Sequence, residues 1–356
     1  RHYTSMAMTP ENNQQQTDGD GVLERGLGGA AATAIIMGGM IGSGIFRAPS
    51  IVADHAGSPG MSLAVWGVCG LVALCGGLCV AELGAMMPKT GGLYVYLREA
   101  FRSRFIAFSY GWAAFWLIWP VSMAAVAAVF ATYLAVIVEA ATGVTLGIAG
   151  QRTAAATCII GLAVVNCVGV RPSGHLTTIV TTLKVVSLLA IVALAAVLGA
   201  DLPALDATGE ASAAEAYFQP AAFGAAMITA LFAYEGWTYA GYVAGEIRAP
   251  QRTLPRSIIA GVLGVTALYL AVNLAYMSVL PFEHFRSSDR VAADVMNVLG
   301  GPAGALAVSA AVMVSTFGAV HVLLLVAPRS AYALAQDKLF FEPLSRVHAR
   351  PRTPLN

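Results

Sequence analysis

The chain has 356 residues, of which 58% are hydrophobic and only 11% are charged. A water-soluble domain carries about 25% charged residues, so this composition excludes a typical soluble fold and predicts a protein whose main solvent is lipid. The formal net charge of +1 also lacks the basic excess expected of a nucleic-acid-binding protein.

The first 25 residues are polar, include a Gln-rich patch at 14–16 and lack the apolar core of a secretion signal. Such a segment cannot bury enough apolar surface to fold by itself. We therefore predict that residues 1–25 form a disordered cytoplasmic tail.

Eight apolar segments come after the tail, and each is close to the roughly 20 residues that a helix needs to cross a bilayer. These predicted helices one to eight are 27–50, 62–86, 105–138, 154–170, 176–199, 220–246, 257–280 and 303–327. The sequence therefore predicts an all-α polytopic membrane protein, with helices one to five within 26–200 and helices six to eight within 220–356, which includes the start of the following loop. The connections are predicted to be short, apart from an external loop at 201–219 and a loop at 281–302.

Basic residues are unevenly distributed between the loops. With the N-terminus inside the cell, 13 Lys and Arg residues fall in the inner loops and only 4 in the outer segments. Inner loops of membrane proteins carry the excess of Lys and Arg. We therefore predict an integral protein of the plasma (inner) membrane with a cytoplasmic N-terminus.

The first predicted helix contains a glycine cluster. Gly38, Gly39, Gly42 and Gly44 lie within seven residues, and each glycine weakens a helix by about 1 kcal/mol relative to alanine. Backbone groups freed in lipid must find other partners, so the cluster favours a helix that is interrupted at a cavity. The alternative interpretation is close packing between helices through small residues.

A second interruption is predicted in the sixth helix, where Phe-Ala-Tyr-Glu-Gly-Trp at 232–237 places a carboxylate in an apolar run. The two interruptions are five helices apart and so occupy corresponding positions in two halves. Paired interruptions of this kind are typical of transporters built from inverted repeats. We predict a five-plus-five inverted-repeat fold in which the first repeat is complete and the second, with helices six to eight, is partial.

Several motifs, taken in chain order, resemble one known family. They are Gly-Met-Ile-Gly-Ser-Gly-Ile-Phe at 39–46, Ala-Glu-Leu-Gly at 81–84, Pro-Lys-Thr-Gly-Gly-Leu-Tyr at 88–94, Phe-Ala-Tyr-Glu-Gly-Trp at 232–237 with Gly-Glu-Ile at 245–247, and Ser-Thr-Phe-Gly at 315–318. Across 27–355 the chain is similar to the amino acid–polyamine–organocation (APC) superfamily, and in particular to L-type amino acid transporters. The resemblance implies five plus five core helices and usually two more, so a chain with eight predicted helices is expected to be a fragment.

The resemblance also implies a site for a zwitterionic amino acid at the two interruptions. Its carboxylate would bind the backbone N–H groups of Ser43 and Gly44 and the Ser43 hydroxyl, where the positive end of a helix dipole favours an anion. Its ammonium would bind carbonyl groups at Met40, Phe232 and Glu235, and the Phe232 ring would close over it. The whole predicted substrate site is Met40, Ile41, Gly42, Ser43, Gly44, Phe232, Ala233, Tyr234, Glu235 and Gly236.

Lys184 lies in the fifth predicted helix, where a lysine either extends its ammonium to the membrane interface or serves a site. The resemblance implies the second role. The ammonium would take the place of a sodium ion, bridging carbonyls near Gly38 to the eighth helix near Ser315 and Thr316. We therefore predict sodium-independent amino acid transport by alternating access, coupled to protons or running as exchange (antiport).

The role of Glu235 stays open on the sequence alone. A carboxylate at membrane depth is costly and often functional. It is either protonated and hydrogen-bonded, a counter-charge for a cationic substrate, a carrier of a coupling proton, or a cap on the interrupted helix. Two alternative functions are a carrier of cationic amino acids or polyamines, and a sensor or regulatory membrane subunit that binds an amino acid without moving it.

Other polar residues have simpler expected roles. Glu246 is predicted to pair at the membrane interface with Arg248 or Arg252, and His321 to be a packed, hydrogen-bonded, neutral ring. The five cysteines lie in apolar runs without a CxxC pair, so no metal or other cofactor is expected. No HExxH or GxSxG motif occurs, which argues against an enzyme.

A cysteine between helices three and four joins some animal L-type relatives to a glycoprotein subunit. Residues 139–153 contain no cysteine. A disulfide-linked heavy subunit is therefore not expected, and the predicted partners are the amino acid substrate and the lipid bilayer.

Overall fold

The computed structural model describes Leu23 and residues 25–198 and 219–347. The predicted tail at 1–25 and the predicted external loop at 201–219 lie largely outside the described residues. The architecture is that of the described part of the chain.

Thirteen α-helices run through the described residues. They are α1 (Gly29–Met40), α2 (Gly44–Ala56), α3 (Pro59–Met86), α4 (Leu93–Phe101), α5 (Arg104–Ala113), α6 (Trp119–Thr142), α7 (Ile148–Cys167), α8 (Val170–Leu198), α9 (Pro220–Ala233), α10 (Tyr239–Tyr242), α11 (Pro250–Val279), α12 (Phe282–Ser287) and α13 (Val291–Gln336). A π-helical segment at Ala114–Ile118 joins α5 to α6, and 3-10 turns occupy Ala244–Glu246 and Glu342–Ser345.

Six helical segments are long and apolar enough to cross a membrane, namely α3, α5 together with α6, α7, α8, α11 and α13. The bent pair α1 and α2, taken as one span, makes seven within the described residues. The prediction of an all-α polytopic membrane protein is therefore confirmed.

The sixth predicted helix, 220–246, is not a continuous span. Helix α9 ends at Ala233 after 14 residues, and the chain turns through 234–238 before the four-residue helix α10. Gly236 has a φ of 128°, a backbone conformation that interrupts a helix and favours glycine. The helix thus ends within 232–237, the segment where the sequence predicted an interruption.

Two predicted connections are helical. Helix α8 begins at Val170, so the predicted break at 171–174 is its first turn; Pro172 fits there because first-turn N–H groups have no acceptor within the helix. The predicted loop at 281–302 contains α12 and the start of α13, which bends where Gly301 has a φ of 63°.

Helix α1 lies at the centre of the described part. It packs against α8, α10, α11 and α13, whereas α2 packs against α3, α9 and α12. An isolated parallel bridge between Leu27 and Ile247 holds the beginning of α1 against the segment that comes after α10. We call the membrane face at which α1 begins the Leu27 side.

Candidate functional site

Two helix interruptions define the candidate site. The first separates α1, which ends at Met40, from α2, which begins at Gly44, and the two helices are bent by 45°. The second separates α9, which ends at Ala233, from α10, which begins at Tyr239. Both lie in otherwise apolar helices, so the polar backbone groups at these ends must pair or line a cavity.

Glycines bring the two interruptions into direct contact. A Cβ on Gly236 would stand 2.6 Å from the carbonyl carbon of Gly39 and from the amide nitrogen of Met40. A Cβ on Gly44 would stand 2.8 Å from the Cβ of Ala233. Real Cβ atoms do not approach other atoms this closely, so the two backbones meet only because these positions are glycine.

The N-terminus of α2 carries unpaired donors. The backbone N–H groups of Ser43 and Gly44 have no acceptor among the described residues, and the Ser43 side chain does not cap the helix. Both residues are half-buried, and a Cβ on the preceding Gly42 would meet nothing within 4 Å. Free N–H groups and the positive end of a helix dipole favour an anion here.

The carbonyl groups at the helix ends are mostly occupied. The Met40 oxygen accepts the Tyr269 hydroxyl at 2.8 Å and the Gly42 N–H at 2.9 Å. The Phe232 oxygen accepts the Glu235 N–H at 3.2 Å. The prediction that Met40 and Phe232 offer unpaired carbonyls is therefore wrong in this conformation.

Tyr269 on α11 is a functional residue that sequence reasoning missed. Its hydroxyl lies 2.8 Å from the Met40 oxygen and 3.1 Å from the Ala233 oxygen, so one side chain ties the ends of α1 and α9 together. A tyrosine in the middle of an apolar helix was the available signal, because a buried hydroxyl needs a partner.

Two side chains of the second interruption point away from the first. Tyr234 is buried, and its hydroxyl donates to the Trp66 oxygen of α3 at 3.1 Å. Phe232 is 75% exposed and does not cover the site. Neither side chain lies over the first interruption in this conformation, because their rotational positions at the end of α9 turn them elsewhere.

Glu235, like Phe232, is exposed. The carbonyl oxygen of Glu235 accepts no backbone hydrogen bond among the described residues. Glu235 therefore offers both an exposed carboxylate and a free carbonyl at the second interruption.

Lys184 on α8 reaches the first interruption. Its Nζ donates to the Gly38 oxygen at 2.8 Å and to the Ile41 oxygen at 2.7 Å, and the residue is 1% exposed. Ser315 on α13 donates to the same Ile41 oxygen at 3.1 Å and to the Gly42 oxygen at 2.9 Å. A fixed cation thus faces the negative, C-terminal end of α1.

Two predicted residues have other contacts than expected. Ile41, expected in the substrate site, is fully buried, and its oxygen accepts a hydrogen bond from Lys184. Thr316 was expected to contact Lys184, but its hydroxyl donates to the Val312 and Met313 oxygens of its own helix. A hydroxyl that bonds back to the preceding turn cannot also reach α1.

Gly318 leaves the room that Lys184 occupies. A Cβ there would overlap the Val180 Cγ1 and would stand 2.8 Å from the Lys184 Cε and 3.2 Å from the Lys184 Nζ. Replacing Gly318 with alanine is therefore expected to displace both side chains of α8, the ammonium included, and to lower substrate uptake on the order of tenfold. Gly300→Ala on the same helix is the matched control, because a Cβ there meets nothing within 4 Å; equal uptake by the two variants would contradict the role of Lys184.

The predicted ion pair of Glu246 with Arg248 or Arg252 is wrong. Glu246 is fully buried and pairs with Arg329 of α13. His321 is buried as predicted: its Nδ1 lies 3.1 Å from the Asn166 Nδ2, and its Nε2 lies 3.0 Å from the Ser173 oxygen. An amide donor on one ring nitrogen and a carbonyl acceptor on the other match a neutral ring with its proton on Nε2.

Comparison with known proteins places this chain in a family. The family model described as "Amino acid permease" matches residues 27–356. The Serine/threonine exchanger SteT of Bacillus subtilis (strain 168) is 31% identical over 338 residues, which cover 94% of this chain and 74% of that protein. The mouse Large neutral amino acids transporter small subunit 2 is 32% identical over 364 residues, covering 100% of this chain and 66% of that protein.

A human relative has a similar match. The human b(0,+)-type amino acid transporter 1 is 33% identical over 334 residues, covering 93% of this chain and 67% of that protein. The chain thus spans about two thirds of the length of these mammalian relatives. All three names denote transporters or exchangers and none denotes an enzyme. The chain belongs to the amino acid permease family, as its motifs indicated.

Proposed function

We propose that this protein moves amino acids across the membrane by alternating access, without sodium. The observation that carries the proposal is the N-terminus of α2, where the N–H groups of Ser43 and Gly44 have no acceptor among the described residues and the Cβ position of the preceding Gly42 is open. The substrate carboxylate binds these two groups and the Ser43 hydroxyl. Charge-assisted bonds of this kind are about twice as strong as neutral ones.

The substrate ammonium binds at the second interruption. Of the three carbonyls expected to bind it, those of Met40 and Phe232 are already paired, and that of Glu235 accepts no backbone hydrogen bond among the described residues. The contact of Gly236 with Gly39 and Met40 sets the distance between the two interruptions, so one small zwitterion bridges them.

Lys184 supports the absence of sodium coupling. Its ammonium already supplies positive charge to the Gly38 and Ile41 carbonyls. A second cation at that point would meet like charge, so the transport cycle is driven by a proton gradient or by exchange. The exchanger named among the relatives favours exchange.

The proposal also covers the two repeats of the chain and its orientation in the membrane. We propose that residues 26–200 form the first repeat and 220–356 part of the second, inverted one, since the two interruptions take corresponding places. The Leu27 side is cytoplasmic, in keeping with the excess of basic residues in the loops on that side, and the membrane is the plasma membrane.

A heavy subunit joined by a disulfide bond is not part of the proposal. The mouse relative is named a small subunit. In this chain the connection between α6 and α7 falls within 139–153, where no cysteine is present to form such a bond.

Uptake into liposomes tests the proposal. Purified protein, reconstituted into vesicles loaded with unlabelled amino acids, is expected to take up labelled amino acid equally well in sodium and in potassium buffers. A strict requirement for sodium would contradict the role given to Lys184. Saturable binding with background uptake would favour the sensor hypothesis instead.

The exposed carboxylate of Glu235 favours a second candidate, a carrier of cationic amino acids. In that case Glu235→Gln is expected to abolish competition by lysine and arginine while competition by neutral amino acids stays within a few-fold of the parent, because only the cation loses a counter-charge. Inhibition of labelled amino acid uptake by unlabelled cationic and neutral amino acids measures both kinds of competition. Equal loss for neutral substrates would reject this candidate, and Glu283→Gln, an exposed carboxylate on α12, is the control.

A further inference from the structure

Helices α3 and α11 pack against each other in opposite directions, in a register that glycines on α3 reveal. Three of these glycines have no room for a Cβ because a side chain of α11 fills the space. The pairs are Gly84 with Leu254, Gly77 with Ile258 and Gly70 with Thr266. In each pair the two residue numbers add up to 335–338, so the contact runs steadily along both helices.

The same register continues toward the beginning of α3. The ring centroids of Trp66 and Tyr269 are 5.5 Å apart, which is the next contact in the series. One helical turn further on, the register places Ser62 of α3 beside Asn273 of α11. Ser62 lies in the first turn of α3, near the membrane face opposite the Leu27 side.

Three polar atoms on this part of the contact are buried without a partner. Ser62, Trp66 and Asn273 are each 0% exposed. The Ser62 Oγ, the Trp66 Nε1 and the Asn273 Oδ1 have no hydrogen-bond partner among the described residues. The other end of the Asn273 amide is occupied, since its Nδ2 donates to the Tyr269 oxygen at 2.8 Å. Burying a polar atom unpaired is costly, so three of them in one register indicate a ligand that they share.

The chemistry of the three atoms selects this ligand. The indole N–H of Trp66 can only donate, the Oδ1 of Asn273 can only accept, and the Ser62 hydroxyl can do either. The carboxamide oxygen repels an anion, and the indole N–H repels a cation. Water donates and accepts at the same time, and a buried water typically makes about three hydrogen bonds to groups that otherwise lack a partner.

We propose that a buried water molecule bridges Ser62 and Trp66 of α3 to Asn273 of α11 and holds Trp66 against Tyr269. It accepts from the Trp66 indole, donates to the Asn273 Oδ1 and makes its third bond with the Ser62 hydroxyl. Tyr269 in turn ties the Met40 and Ala233 oxygens at the two interruptions. The water therefore stabilises the contact between the interruptions through Tyr269, and its binding does not depend on the proposed transport.

A double-mutant cycle on the melting temperature of the purified protein tests the shared water. Ser62→Ala and Asn273→Leu are each expected to lower the apparent melting temperature by about 2–4 °C, because each leaves the bridged groups with a bond missing. The double variant is expected to melt close to the less stable single variant, since the second replacement removes a group whose partner is already lost.

The sign of the single effects distinguishes this water from polar atoms that simply lack a partner. In that case removing either atom would relieve an unpaired group, so the melting temperature would rise or stay unchanged. Either result would overturn the proposal, as would losses that add up in the double variant. Because the readout needs no transport, it decides the question even if the proposed function fails.

Tyr96→Phe is the control for the cycle. The Tyr96 hydroxyl is also buried without a partner among the described residues, but it lies beside Gly84 at the opposite end of α3. Gly84 is about 33 Å from Ser62 at 1.5 Å per residue. Tyr96→Phe and Ser62→Ala are therefore expected to combine additively, and coupling as strong as that between Ser62 and Asn273 would overturn a local bridge.

Ser62→Thr and Ser62→Val form a second pair for the case in which Ser62→Ala does not fold. Threonine and valine have nearly the same shape, and only threonine keeps the hydroxyl. The threonine variant is expected to melt about 2–4 °C above the valine variant. Equal melting temperatures, or a more stable valine variant, would overturn the water bridge.

Uptake by the same two variants tests the support of Tyr269, which rests on the proposed function. The valine variant is expected to need several-fold more substrate than the threonine variant for half-maximal uptake. If the two differed in melting temperature but not in uptake, the water would stay assigned and its support of the interruptions would be overturned.

Discussion

Replacing Gly236 with alanine is expected to lower amino acid uptake on the order of a hundredfold, the effect of misplacing a site by about 1 Å. The new Cβ would stand 2.6 Å from two backbone atoms of the first interruption, and neither atom can yield unless α1 itself shifts. The φ of 128° adds strain for any residue other than glycine. Uptake and equilibrium binding by the purified variant measure the loss.

Gly143→Ala is the control that separates backbone strain at a positive φ from steric overlap of the new Cβ. Gly143 comes directly after α6 with a φ of 72°, so alanine is strained there too, but its Cβ would meet nothing within 4 Å. We expect this variant to stay within a few-fold of the parent, since strain alone costs about 1–2 kcal/mol of stability at a distance from the site. If Gly236→Ala behaved like Gly143→Ala, the close contact between the interruptions would have no functional role.

Lys184→Ala is expected to have an effect of similar size. The substitution leaves the Gly38 and Ile41 carbonyls without their charged donor in a site that is 1% exposed. Ser315 still donates to the Ile41 oxygen, so the Gly38 carbonyl is the one that loses its donor among the described residues, at a cost of about 1–3 kcal/mol. The end of α1 is then expected to change shape and uptake to fall on the order of a hundredfold, as measured in the same liposome assay.

Thr181→Ala is the matched control for the loss of the Lys184 charge. Thr181 lies on the same helix as Lys184 and donates to the Ala34 oxygen of α1 at 3.0 Å. That carbonyl lies inside α1, where the helix itself supplies a donor, so its loss is expected to reduce uptake by no more than a few-fold. Equal uptake by the Lys184 and Thr181 variants would mean that the cation itself is dispensable.

Composition and residue order predicted the parts of the fold that depend on local chemistry. The glycine cluster at 38–44 predicted the interruption after Met40, because flexible backbone and apolar surroundings allow few other outcomes. The likeness to a known family predicted the contact of Lys184 with Gly38. The apolar runs predicted the continuous membrane helices to within seven residues at each end, except that α13 begins 12 residues before and ends 9 residues after the predicted 303–327.

The remaining site geometry depends on rotation and on distant pairing, which a sequence does not display. Position along α9 did not reveal that Tyr234 turns toward Trp66 and Phe232 toward the surface. Charge proximity favoured nearby arginines for Glu246, whereas the actual partner, Arg329, is 83 residues away. Tyr269 looked like any aromatic residue of an apolar helix until its hydroxyl was seen between two helix ends.

Binding of a substrate without its carboxylate tests the central claim most directly. A competition panel of the standard amino acids first identifies a substrate, and its affinity for the purified protein is then compared with that of the amino alcohol in which the carboxylate is reduced. Because the N–H groups of Ser43 and Gly44 would lose their anionic partner, we predict that affinity falls by roughly a hundredfold or more. Equal affinity for the acid and the alcohol would contradict a carboxylate site at the start of α2.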